Sequence, residues 1–146
     1  MRGPSESALV DRLTEKGRSL GAREAEHREG LAEASACAQA LHEQVARALD
    51  GFHQAAEAAG APHLSVALSE VRTDDKHLRS VEFDVTRGRY KAIVTAKSRG
   101  DVTLVGPFRI GKTEGPCLTF PFEAGAELDE ALIVFLEKFV EEAATP

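Results

Sequence analysis

The stretch FHQAAEAAGAPHLSVAL (Phe52–Leu68) contains the change of pattern that decides the fold. On its left, Phe52, Ala55 and Ala59 continue a three-four spacing of small and apolar residues; on its right, Leu64, Val66 and Leu68 alternate strictly. The first spacing puts side chains on one face of a helix, the second on one face of a strand. Gly60-Ala61-Pro62 lies between the two. Glycine accepts the left-handed backbone that closes a last helical turn, and proline cannot continue the helix.

Working towards the N-terminus, the three-four spacing runs back through Ala48, Val45, Leu41, Ala38, Ala34 and Leu31 without a break. That is a seam of about four heptads, as in a coiled coil. In the same frame, still earlier positions are His27, Glu24, Leu20, Gly17 and Leu13, so the pattern weakens. Gly17, Gly21 and Gly30 each cost a helix about 1 kcal/mol relative to alanine. Residues 1–30 are expected as a weakly helical segment, with a short separate helix ending at KGRSLG (Lys16–Gly21) as one form. Its start is marked by Pro4-Ser5-Glu6, where the Ser5 hydroxyl can accept a bond from an orphan amide. Residues 31–60 form the heptad-patterned helix, and 61–146 form a sheet with a final helix.

Working towards the C-terminus, the period of two recurs. Val81, Phe83 and Val85 alternate, then Tyr90, Ala92, Val94 and Ala96, then Val102, Leu104, Phe108 and Ile110, then Leu118, Phe120 and Phe122. With the segment at Leu64–Leu68 this predicts five strands. Their connections are short and carry glycine, so neighbours must be antiparallel. A two-residue turn at Arg87-Gly88 would set Val85 opposite Tyr90 and Asp84 opposite Lys91. A three-residue loop at 98–100 sets Lys97 opposite Asp101. From Glu127 to Glu142 a helical face of Leu128, Ala131, Leu132, Phe135 and Phe139 returns, widened by Ile133, Val134 and Val140, as for a helix lying on a sheet. The fold class expected is α+β: a long N-terminal amphipathic helix, a five-stranded antiparallel meander and a C-terminal helix packed on it.

The chain has 146 residues, enough for one core with an appendage. Aromatic residues make up 5% with no tryptophan, which disfavours sites built on aromatic platforms. MRGPSES at the start is not a signal sequence, and no apolar run approaches the roughly 20 residues that span a bilayer, so a cytoplasmic protein without a membrane segment is expected. Cys37 and Cys117 have neither a CxxC spacing nor a histidine cluster and are expected as small buried apolar residues.

One motif matches letter for letter. GPFRIGKT (Gly106–Thr113) fits the GxxxxGK[ST] phosphate-binding loop. That chemistry needs a helix starting at the lysine, whose free amides and dipole hold the phosphates. Thr113 is instead followed by Glu114-Gly115-Pro116 and an alternating strand pattern, so the match is assigned to a hairpin turn. His42 and His53 are expected as solvated helix-surface histidines, and Asp74-Asp75-Lys76-His77 as a turn. No catalytic, cofactor or metal residue is assigned.

Charge divides along the chain. Residues 71–112 hold 10 basic and 5 acidic side chains, whereas 113–146 hold 1 and 8. In the expected register Arg89, Lys91, Lys97 and Arg109 project opposite the apolar face, with Arg87, Arg99 and Lys112 in adjoining loops. Glu82, Asp84 and Asp101 share that face. It would suit an acidic protein partner or, less well at a pI near 5.4, nucleic acid.

The seam from Leu31 to Ala59 is about 43 Å long, against about 23 Å for a seven-residue strand. A helix of that length overhangs its own sheet, and an exposed apolar stripe needs cover. The expected function is that of a non-catalytic, homo-oligomeric interaction or adaptor protein, first of all a dimer, or one with a helical protein partner. Association would run through Leu31, Ala34, Ala38, Leu41, Val45, Ala48 and Phe52. The competing arrangement folds residues 5–29 back on 31–59 through a turn at Gly30. The alternative functions are a nucleic-acid-associated protein using the basic sheet face and a small acidic chaperone for a protein partner.

Overall fold

The structure is a computed structural model and describes residues 5–74, 79–112 and 115–145. Its elements are α1 (Glu6–Ala58), β1 (Ala67–Leu68), β2 (Arg72–Asp74), β3 (Ser80–Arg87), β4 (Tyr90–Lys97), β5 (Asp101–Arg109), β6 (Cys117–Pro121) and α2 (Gly125–Ala144). The α+β class, the antiparallel sheet and the helix packed on it are as the sequence predicts.

Helix α1 is a single element of 53 residues, about 80 Å long. It runs unbroken through Gly17, Gly21 and Gly30, so neither a separate first helix nor a fold-back at Gly30 forms. Ser5 caps its start, accepting from the Ala8 amide at 3.2 Å, and Gly60 at φ +85° closes its end.

The strands pair antiparallel in the order β1-β3-β4-β5-β6, with β2 joining β3 further along the same edge as β1. Strand β2 is the sixth strand, at Arg72–Asp74, a polar segment without the alternation that marks the others. The 98–100 loop has the expected register, with Lys97 opposite Asp101. The β3–β4 turn is shifted by one residue: Arg87 pairs Tyr90 and Val85 pairs Ala92. Gly88, at φ +59°, therefore takes the first central position of the turn, where a two-residue hairpin needs left-handed backbone. The shift changes the pairing by two and keeps every side chain on its expected face.

One sheet face carries the core. Val81, Phe83, Val85, Ala92, Val94, Ala96, Val102 and Leu104 are buried there beneath two helices, α1 over β3 and β4 and α2 over β4 and β5. Helix α1 contributes Ala34, Ala38, Leu41, Val45 and Leu49, and α2 contributes Leu128, Leu132, Phe135, Phe139 and Ala143. From Ala34 to Leu49 is about 23 Å of helix, the length of the strands beneath it. The spacing there follows 3.6 rather than 3.5, which is why Leu49 is buried and Ala48 exposed.

Candidate functional site

The seam assigned to self-association lies inside the chain. Ala34, Ala38, Leu41 and Val45 are buried against the sheet, Leu31 and Phe52 pack at the margins of the same core, and Ala48 alone of the seven faces solvent away from it. This corrects the expected helix interface. An apolar sheet face needs an apolar helix face, and the heptad stripe is the one this chain offers.

The overhang is present, at the other end. Gly30 packs closely beside the backbone of Ser98 in the β4–β5 turn. Beyond it Glu24 reaches Arg79 at 3.8 Å, and residues 5–26 are all exposed. Glu6 to Glu29 is about 36 Å of helix. It carries four of the large exposed apolar side chains: Leu9 at 60%, Val10 at 59%, Leu13 at 63% and Leu20 at 49%. At roughly 100° per residue Leu13 falls in line with Leu31, so this stripe continues the one that packs on the sheet.

A second apolar surface lies between α2 and the edge strand β6. It is a groove of about 460 Å³ whose floor and walls include Leu104, Leu118, Ala131, Val134 and Phe135. Glu127, Glu130 and Lys138 stand along it. Leu118 at 55% and Val134 at 64% are exposed within it; Ile133, at 59%, is exposed on the opposite flank of α2 from Ala131 and Phe135. Ile133 and Val134, expected to widen the sheet-facing stripe of α2, instead point away from the sheet.

The basic positions do not form one face. Lys91 lies on the outer face but meets Asp84 at 3.6 Å, and Asp84 also takes Arg72 at 2.8 Å. Arg72, not foreseen because β2 was not, bonds Glu82 at 3.1 Å as well. Partial burial pulls its pKa down, yet the hydrogen bonds and charges of Asp84 and Glu82 outweigh that and raise it. Arg99 holds Asp101 at 2.7 Å. Lys97 faces Asp101 across the strands.

Arg109 and Arg87 lie elsewhere. A bulge where Lys91 pairs Phe108 but Ile93 pairs Val105 puts one extra residue in β5 and reverses its alternation. Arg109 consequently lies with Tyr90, its guanidinium 5.6 Å from the ring centre, and Phe108 is turned to the outer face. Gly106, at φ +109° and packed against the backbone of Lys91 and Ala92, is the residue that allows the bulge. Arg87 donates to the Ala143 carbonyl at the end of α2 and to the His63 carbonyl, so it anchors the fold. Arg89 is an exposed turn residue near both.

The phosphate-loop string lies along β5 as far as Arg109 and turns through Ile110, Gly111 and Lys112; the next helix begins at Gly125, and Thr113 lies outside the described residues. The helix-surface histidines are structural. His42 donates through Nε2 to the Ser69 carbonyl at 2.8 Å and meets the Phe83 ring edge-on, while His53 Nε2 accepts from the Val66 amide at 2.9 Å. Asp74 ends β2; Asp75, Lys76 and His77 lie outside the described residues. Cys37 is half-buried with its thiol pKa raised by that burial, and Cys117 is exposed on the edge strand rather than buried. Among the described residues no three histidine, cysteine or acidic side chains could hold a metal ion, and no helix is long and apolar enough to cross a membrane. No protein-family model, no curated protein and no solved structure matches this chain.

Proposed function

We propose that the protein is a non-catalytic, self-associating interaction or adaptor protein whose contact element is the N-terminal half of α1. The observation that carries this reading is the free helix itself, some 36 Å long, with Leu9, Val10, Leu13 and Leu20 about half or more exposed. A helix of that length gains most of its stability from packing an apolar face, and here its own sheet supplies none. Light scattering at tens of micromolar tests it: a dimer for the natural chain and a monomer for Leu13→Asp with Leu20→Asp are expected, and a natural monomer would overturn it.

The nucleic-acid alternative is weakened because Arg72, Lys91 and Arg99 are paired with carboxylates and Arg87 with carbonyls. A salt-dependent mobility shift of labelled DNA would revive it.

A further inference from the structure

We infer that the leucine stripe of α1 docks, in a second copy of this chain, into the groove between α2 and β6, the two copies exchanging helices reciprocally. The inference rests on the reading of α1 as the self-association element and names the surface that receives it.

Both surfaces lack cover, and they account for six of the eight large apolar side chains that are exposed among the described residues. Four are on the free helix, and Leu118 and Val134 are in the groove. The chain cannot satisfy them internally. Helix α1 lies over β3 and β4, whereas the groove lies at β6, and the unbroken helix carries its stripe past Ser98 and off the sheet.

The two surfaces match in length. Leu9 to Leu20 and Glu127 to Lys138 are each eleven residues apart, about 17 Å of helix. They also match in charge. On a helical projection Leu9, Leu13 and Leu20 fall within roughly 40° of one another, and Arg12, Lys16 and Arg23 all lie along one flank of that stripe, within roughly 60° of Leu9. Asp11 and Glu15 are on the back, while Glu6 and Glu24 lie on the line of the stripe outside its leucines, Glu24 reaching Arg79. The groove presents Glu127 and Glu130 at one end and Lys138 at the other. A helix laid in this groove by its leucines therefore brings a basic flank to the acidic end of the groove, at Glu127 and Glu130. A reciprocal pair uses both grooves and both helices, which closes the assembly at two copies.

The test uses the full chain and compares variants on each surface. Val134 is exposed, so Val134→Asp leaves the fold intact by circular dichroism and is expected to give a monomer. Glu127→Lys with Glu130→Lys is expected to raise the dimer dissociation constant by about tenfold or more, and adding Arg12→Glu with Lys16→Glu in the same chain to restore it. If Leu13→Asp with Leu20→Asp gives monomers while the Val134 and glutamate variants dimerise like the natural chain, helix pairs with helix and the groove proposal is overturned with self-association intact. A monomeric natural chain overturns both.

Discussion

Gly30 and Ser98 meet backbone to backbone: a Cβ on Gly30 would overlap the Ser98 carbonyl oxygen, with the Ser98 carbonyl carbon at 3.2 Å. The contact fixes where α1 leaves the sheet. Helix propensity alone favours alanine at a helical glycine by about 1 kcal/mol. At Gly30 the obstacle is backbone, so the helix must move. Gly30→Ala is expected to lower stability by about 1–3 kcal/mol. Gly17→Ala and Gly21→Ala, with nothing within 4 Å, should raise helicity instead. Chemical denaturation and circular dichroism of the three variants decide it; a stabilised Gly30→Ala would disprove the contact.

The alanines of the heptad stripe separate in the same way. Ala38 is fully buried against the sheet and Ala48 is exposed. A leucine at Ala38 has no room, and overpacking of this kind typically costs about 1–3 kcal/mol. At Ala48 the change should stay within about 0.5 kcal/mol. Equal effects at the two sites would mean that the stripe faces something other than this sheet.

His53 fastens α1 to the start of the sheet by accepting from the Val66 amide. Val66 is buried, so its amide loses its partner when the imidazole is removed. His53→Ala is expected to cost about 1–3 kcal/mol, the penalty for an unsatisfied buried donor. Amide exchange at Val66 would rise in the variant; unchanged protection there would show that water or another group replaces the ring.

What could be read from the sequence follows from what a pattern encodes. Periods of 3.5 and 2 located α1, α2 and the long strands, because a core needs alternating side chains regardless of what they pack on. The same logic could not say that the Leu31–Phe52 stripe meets its own sheet, since a helix presents one apolar face to either partner. Strand β2 was missed because its residues, Arg72, Thr73 and Asp74, are polar on both faces and are held by ion pairs across the sheet. Arg109 was placed on the wrong face because one extra residue near Gly106 reverses the alternation, and a glycine inside a strand pattern was the available signal. The exposure of Ile133 and Val134 depends on how far α2 is rotated about its axis, which two adjacent apolar residues do not specify.

Two arginines two residues apart should behave differently. Arg87 gives its guanidinium to the Ala143 carbonyl at the end of α2 and, at 3.3 Å, to the His63 carbonyl, joining the last helix to the segment after α1. A positive charge there also faces the negative end of the α2 dipole. Arg87→Met keeps much of the apolar stem and removes every donor, so the loss measures the anchoring; about 1.5–3 kcal/mol is expected for hydrogen bonds from a charged group. Arg89→Met, in the exposed turn, should change stability by no more than about 0.5 kcal/mol. If Arg87 served a ligand rather than the fold, its replacement would leave the denaturation midpoint where it is. A fall confined to Arg87 would instead remove it from any basic binding face.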